Sequence, residues 1–352
     1  MDDFLGRITA RAPGVIKLFG EHAVVYGKPA VGATVNMYST SLTDHNEGSF
    51  HITLEGLNVE AEIPNSVLAD LYFRRTKADS IDEFVKNSDK VNSILLPLAT
   101  IAGNVFHQFG KQIDARTTIN STIPMQKGYA SSAAISVCFA VGLTKFLKVK
   151  MTDSEMVNLA REGERIFHKS EGAGIIDVNV SYHGGCVGYS REEGVKVLKM
   201  GPEMKTVDIL LVDTGPKKST AETVGWVAEL MKKRKKETQR IIDDIGELSL
   251  RGVDALRAGN MEEVGQLMFL NQERLKMLGV SSDGLDRAVE IARKSGALGA
   301  KLSGGGRGGL AIVLTDKKKS SIVSEDLIKA GFDVFVSEIV NKGAKEEVTV
   351  YP

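Results

Sequence analysis

Residues 131–146, SSAAISVCFAVGLTKF, constrain the fold more than any other stretch of the chain. The run has helical length and is nearly apolar on every side, with Lys145 its one charge. A helix of that kind has no solvent face and must be buried, so other segments have to pack around it. The chain has material for this, since 352 residues exceed one ordinary core and suit two domains packed into one body. Apolar side chains make up 42% and charged ones 26%, as in an ordinary globular protein.

Short or alternating apolar runs read as strands at 7–19, 30–42, 50–54 and 117–123. Val91, Ile94, Leu95, Leu98, Ile101, Ala102 and Val105 fall at helical spacing and place a helix within 88–109. A second helix, 154–168, follows the buried one, with Thr152 or Asp153 set to cap it. A strand at 184–189 closes this half. Residues 190–205, rich in charge and glycine, form the expected linker and divide the chain into domains 1–195 and 196–352. The second half opens with a buried strand at 207–213 and continues through helices at 221–230, 238–258, 261–277 and 285–294. It ends as strand 310–314, helix 321–330 and strands 333–336 and 347–350. The fold class is α+β, with strands and helices interleaved and no regular βαβ repeat.

Formal charge is zero, so nothing global favours nucleic acid or an anionic membrane as a partner. The run KKRKK at 232–236 reads as a solvated helix face. Cys138 and Cys186 lie among apolar or small residues and read as buried thiols in a reducing compartment. The first residues carry early acids and no apolar core, and no run approaches the roughly 20 apolar residues of a membrane span. A cytoplasmic protein is expected. His45, His51, His107, His168 and His183 show no metal-ligand spacing. No hydrolase elbow, Cys-x-x-Cys pair or Gly-x-x-x-x-Gly-Lys-Ser/Thr loop occurs.

Three stretches carry chemistry. Residues 11–29, RAPGVIKLFGEHAVVYGKP, set Lys17, Glu21, His22 and Lys28 in or beside a run otherwise apolar or glycine. A buried strand can hold one such lysine as an ion-pair partner, but the cluster suggests a wall that grips a small anionic substrate. In residues 121–138, STIPMQKGYASSAAISVC, a strand ends, a turn contains Gly128, and Ser131-Ser132-Ala133-Ala134 open the apolar helix. The unpaired N–H groups of a first helical turn attract phosphate, and a serine hydroxyl can ligand Mg²⁺. An N-cap serine with a small-residue packing face explains the same stretch equally well. Residues 162–185, EGERIFHKSEGAGIIDVNVSYHGG, bring Glu164 near a helix end and Asp177 after a glycine-rich turn. Phosphoryl transfer needs a Mg²⁺-holding carboxylate and an Asp facing the hydroxyl. A surface glutamate and a turn aspartate are the plainer explanations of each alone.

Together these stretches resemble the GHMP kinases (galacto-, homoserine, mevalonate and phosphomevalonate kinases). Within that superfamily, Phe-Gly-Glu-His-Ala-Val-Val-Tyr-Gly is most similar to the mevalonate kinases. The second family signature, Pro-x-Gly-x-Gly-Leu-Gly-Ser-Ser-Ala, is matched at Pro124, Gly128, Ser131, Ser132 and Ala133 and departed from at Gln126, Tyr129 and Ala130. Residues 299–310, GAKLSGGGRGGL, resemble the third, with Arg307 at a family glycine, able to clamp phosphate or to face solvent. The resemblance implies a ribosomal-protein-S5-like α+β domain, then a ferredoxin-like α+β domain, with the active site between them. It implies ATP and Mg²⁺ as cofactors. Nucleotide phosphates would meet Ser121, Lys127, Gly128, Tyr129, Ala130, Ser131 and Ser132, together with Gly304, Gly305 and Gly306. Ser132 and Glu164 would hold the metal, Asp177 and Lys17 would be catalytic, and Glu21, His22 and Thr220 would hold the acceptor. The implied reaction is γ-phosphate transfer to the primary hydroxyl of mevalonate. Residues 172–177, GAGIID, replace the family's Gly-x-Pro-Ser-Gly-(Ile/Val)-Asp, which keeps a sugar, homoserine or phosphomevalonate open as acceptor. A GHMP-fold sensor without turnover is the rival of another class, and the retention of Lys17, Ser132, Glu164 and Asp177 together counts against it. Long amphipathic helices in the second half would suit a homodimer.

Overall fold

β1 (Ile8–Phe19) and β2 (Ala30–His45) are long antiparallel partners at the middle of the first sheet. Their register slips between Pro13 and Gly14 and again between Lys17 and Phe19. Such irregularities bend a strand and re-aim a side chain, and the second one falls at Lys17. The computed structural model describes residues 6–123, 130–215 and 220–351.

After β3 (Phe50–Leu54) and β4 (Val59–Ile63), the chain forms α1 (Asn65–Lys77), α2 (Ile81–Lys86) and α3 (Leu96–Phe109). It then returns as β5 (Ala115–Ser121), antiparallel to β2 and parallel to β3. Next come α4 (Ser131–Phe146), α5 (Asp153–His168), α6 (Ile175–His183) and the hairpin of β6 (Cys186–Ser190) and β7 (Gly194–Leu198). The second half runs through β8 (Val207–Asp213), α7 (Thr220–Lys233), α8 (Lys235–Ala258), α9 (Met261–Met277) and α10 (Asp283–Lys294). It finishes with β9 (Gly299–Leu302), β10 (Leu310–Asp316), α11 (Ser320–Lys329), β11 (Asp333–Ser337) and β12 (Val348–Val350).

The first sheet has the order β12-β1-β2-β5-β3-β4, with β6 on β2 and β7 on β6. The second is antiparallel, in the order β11-β8-β10-β9. The expected division at 195/196 falls inside β7, which belongs to the first sheet, and β12 returns to that sheet on the edge of β1.

The apolar helix takes the interior place its composition requires. α4 lies across β1 and β2 with α3, α5 and α6 around it, and twelve of its sixteen residues are buried. Phe139 meets Phe50 of β3 with ring centroids 5.9 Å apart. Thr152 caps α5 through a capping box with Glu155, which settles the choice between Thr152 and Asp153. α8 packs on β1, β2 and the short turn at Ala23–Tyr26, so the second half closes over the end of β1 that carries Lys17. Five elements, β4, α1, α2, β7 and β9, lie outside the strands and helices expected from the sequence. So does α6, and it matters most, because it holds Asp177 in its first turn.

Candidate active site

The centre of the site is one ion pair. Lys17, at the β1 irregularity, reaches Asp177 on α6, with Nζ 3.0 Å from Oδ2. The two side chains are 24% and 17% exposed, which leaves them shielded from bulk water yet within reach of a ligand. Burial pulls the Lys17 ammonium down. Asp177, by charge and hydrogen bond, together with Glu21 and Glu164, outweighs that pull and holds it above the ordinary lysine range. The other oxygen of Asp177, Oδ1, is buried and has no partner among the described residues.

Glu164 lies beside this pair. Gly174 opens α6 at φ +75°, and a Cβ there would stand 2.8 Å from the Glu164 Cβ, so α6 and α5 meet directly at the two carboxylates. Glu164 is 1% exposed. His168, one turn along α5, has its Nε2 3.4 Å from Glu164 Oε2, while Glu164 Oε1 is buried with no partner among the described residues. Burial lowers the His168 imidazole, but Glu164 raises it further, and the net shift is upward. His168 carried no distinguishing spacing in the sequence; its place is set by the i, i+4 relation to Glu164.

α4 packs on both α5 and α6, the helices that carry Glu164 and Asp177. Ala130 precedes the helix in a left-handed conformation, φ 47° and ψ 42°, and its methyl side chain offers no cap. Among the described residues no side chain at the N-cap accepts from the amides that open at Ser131 and Ser132. Gly163 packs against Ser136, one turn beyond Ser132, so the two helices bring Ser132 and Glu164 to neighbouring turns. The Ser121 hydroxyl is engaged elsewhere, paired with Ser39 at 2.9 Å and accepting from the Ile123 amide. Lys127, Gly128 and Tyr129 lie outside the described residues.

Opposite, the third glycine-rich stretch closes the site. The Lys17 amide donates to Ser303 Oγ at 2.9 Å. Glu21 is paired with Lys301 of β9, both side chains are buried, and Lys301 also donates to the Leu302 carbonyl. Burial raises the Glu21 carboxyl, with Lys301 opposing, and burial lowers the Lys301 ammonium, with Glu21 opposing. Sequence reasoning has Glu21 hold or orient the acceptor and does not single out Lys301; in the fold Oε1 of Glu21 is paired with Lys301, and Oε2 has no partner among the described residues. His22 Nε2 is 2.9 Å from the Gly305 carbonyl, which can only accept, so Nε2 carries the proton. Burial lowers this imidazole to about 4, the Gly305 carbonyl opposes, and Lys17, Lys301 and Arg307 add repulsion. At neutral pH His22 is uncharged, and its Nδ1 is an acceptor. Gly305 also abuts Thr220 at the start of α7, with Gly304 and Gly306 on either side, both at positive φ. Lys28 stands apart, paired with Asp243 on α8 at 2.6 Å.

Glu164 Oε1, Asp177 Oδ1 and Glu21 Oε2 are buried with no partner among the described residues, and the first two are hard donors open to an ion. Among the described residues no group of three or more His, Cys, Asp or Glu is arranged to cage a metal. The set therefore fits an ion that takes one or two carboxylates and completes its shell with phosphate and water.

Residues 97–185 match the family model of the GHMP kinases' N-terminal domain, and residues 253–333 match that of their C-terminal domain. The chain belongs to the GHMP kinases. The second match spans α8 to β11, and the first runs from α3 to the turn after α6. Over 350 residues this GHMP kinase is 29% identical to the mevalonate kinase of Thermococcus gammatolerans, covering 98% of this chain and 99% of that one. The crystal structure of the Methanococcus jannaschii mevalonate kinase superposes with a TM-score of 0.78 at 25% identity, covering 95% and 98% of the two chains. A Lactococcus lactis galactokinase complexed with galactose reaches a TM-score of 0.75 at 18% identity, covering 97% and 95%. The fold is thus common to GHMP kinases of different acceptors, and the choice of acceptor rests on site residues.

Proposed function

We propose that this GHMP kinase transfers the γ-phosphate of ATP to the primary hydroxyl of mevalonate, giving 5-phosphomevalonate. The Lys17–Asp177 pair carries the reading, because it leaves one Asp177 oxygen without a partner among the described residues, and the Glu164 carboxylate acts on the same Lys17. Full-length similarity to mevalonate kinases supports the acceptor. Asp177 Oδ1 takes up or orients the hydroxyl proton. Lys17 holds the Asp177 carboxylate in place and offsets the negative charge that grows on the attacking oxygen. The uncapped amides at Ser131 and Ser132 receive phosphate, aided by the partial positive charge of the α4 N-terminus.

Glu164 and Ser132 would hold Mg²⁺, which neutralises charge on the transferring phosphoryl group when bound. His22 is neutral, so it orients a hydroxyl of the acceptor through Nδ1 and leaves the acceptor's carboxylate to other groups. Glu21, itself paired with Lys301, adds to the field that keeps Lys17 charged.

A coupled ADP-release assay with ATP, Mg²⁺ and mevalonate, phosphomevalonate, galactose or homoserine tests the proposal. Turnover on mevalonate above the other three is expected. Preferred turnover on another acceptor discards the substrate and keeps the chemistry. Nucleotide binding without turnover on any acceptor gives way to the sensor reading.

A further inference from the structure

α7 meets the site at Thr220, and something must hold it there. A Cβ on Gly305 would stand 3.3 Å from Thr220 Cα and 3.4 Å from its hydroxyl, so the two segments touch at the backbone. Less than two turns along α7 lies Trp226, the sole tryptophan of the chain. The Arg307 guanidinium covers its ring, with Cζ 4.1 Å from the centroid. The indole Nε1 donates to the Leu278 carbonyl at 3.1 Å, and a Cβ on Gly279 would come within 3.2 Å of that nitrogen. Arg307 is fixed from its own side as well. Its Nε donates to the Gly279 carbonyl at 3.1 Å and its amide to the Val280 carbonyl at 2.6 Å.

Arg307 occupies a position where the family pattern has glycine, and its backbone shows the reason for glycine, with φ at +58°. A side chain there is disfavoured by the backbone and is kept only if its contacts outweigh the strain. Those contacts lay the guanidinium on the ring of Trp226, itself 42% exposed, and on the Gly279 carbonyl. They tie the glycine-rich loop, the end of α9 and α7 into one joint, with the cation stacked on an indole face.

We infer that Arg307 and Trp226 act as one clasp that seats α7, and with it Thr220, against Gly305 and His22. They are positioning residues for the acceptor. The inference rests on the reading of Thr220 and His22 as the acceptor wall.

The test is steady-state kinetics with ATP and mevalonate on Arg307→Gly, Trp226→Ala, Trp226→Phe and the Arg307→Gly/Trp226→Ala double variant. Arg307→Gly removes the stack and restores the residue the backbone prefers, so a purely structural role predicts no penalty in melting temperature from the backbone. The clasp predicts a KM for mevalonate raised by roughly threefold or more, the factor lost with a partly exposed cation–indole stack. The KM for ATP should stay put. Trp226→Phe keeps an aromatic face and should recover most of the affinity, and the double variant should be no worse than either glycine or alanine single.

A rise in the KM for ATP alone would make Arg307 a phosphate clamp and overturn the clasp. Additive effects, or no change in the KM for mevalonate, would overturn it too. Wild-type turnover on mevalonate is measured first in the same assay. Its absence there counts against the proposed acceptor, and the variants are then compared on whichever panel acceptor the wild type uses. If the wild type uses none of them, both readings fall together.

Discussion

Lys17 sits in the apolar run VIKLF that ends β1, and such a lysine must find a carboxylate or give up its charge. It finds Asp177 across 160 positions of sequence. Asp177→Asn keeps the shape and removes the proton acceptor, so turnover should fall by on the order of 10²- to 10⁴-fold with nucleotide affinity retained. Equilibrium nucleotide binding beside the rate separates this from misfolding. His22 makes a second prediction, about pH. Its imidazole titrates near 4 in the fold against 6.5 unperturbed. Between those values the unfolded chain binds a proton that the folded one refuses. Stability is therefore full above pH 6.5 and declines as pH falls toward 4, by up to about 3 kcal/mol at 1.36 kcal/mol per unit. Urea unfolding of His22→Gln should show a flatter pH dependence across that window than the parent; parallel curves would contradict the burial argument. Ala130 adds a third. Its left-handed φ disfavours a Cβ, so Ala130→Gly should raise stability by roughly 1 kcal/mol in urea unfolding, and an unchanged or lower midpoint would contradict the strain argument.

At the scale of elements, the glycine entry to α6 links fold to chemistry. Gly174→Ala meets both a positive φ and the Glu164 Cβ at 2.8 Å, and should cost about 1–2 kcal/mol and displace the two carboxylates. Gly172→Ala, two residues earlier, meets only the Ser170 hydroxyl at 4.0 Å and should leave both stability and rate unchanged. Thermal melts and rates on the pair check this directly. The same loop shows where sequence reasoning stops. β1, β2, α4, α5 and α8 to α10 could be read because length and periodicity mark them, and α4 because burial on every side leaves a continuous apolar run. α6 could not: it has nine residues and buries Ile176, Val178, Asn179, Val180, Ser181 and Tyr182, so no single stripe appears. α1 buries only Leu68 and Leu71 and leaves Phe73 half-exposed, too thin a pattern to stand out. β9 is hidden by the glycines after it and becomes a strand only through its pairing with β10. Lys17, Glu164 and Asp177 were read because motif order marked them. Lys301 was passed over, because a lysine in a short apolar run shows its burial only once Glu21 arrives from 280 positions away.

Across the whole molecule, that Glu21–Lys301 pair joins the turn after β1 to the second sheet. Breaking one side of a buried pair leaves an uncompensated charge, whereas replacing both sides by apolar groups is far milder. Lys301→Met should therefore lose about 3–5 kcal/mol in urea unfolding, and Lys301→Met with Glu21→Leu should recover much of it. Equal losses in the single and double variants would mean that the pair is not what joins the halves. The site itself lies where those halves meet, with Lys17 and Asp177 from the first and Ser303, Gly305 and Thr220 from the second. Everything proposed for function depends on the first pair. The most direct test is a single-turnover measurement with saturating ATP, Mg²⁺ and mevalonate, comparing the parent with Asp177→Asn and identifying the product by phosphorus NMR. Formation of 5-phosphomevalonate by the parent, slowed at least a hundredfold in the variant, is the predicted result. An unchanged rate in Asp177→Asn, or a phosphate on any other oxygen of the acceptor, would contradict it.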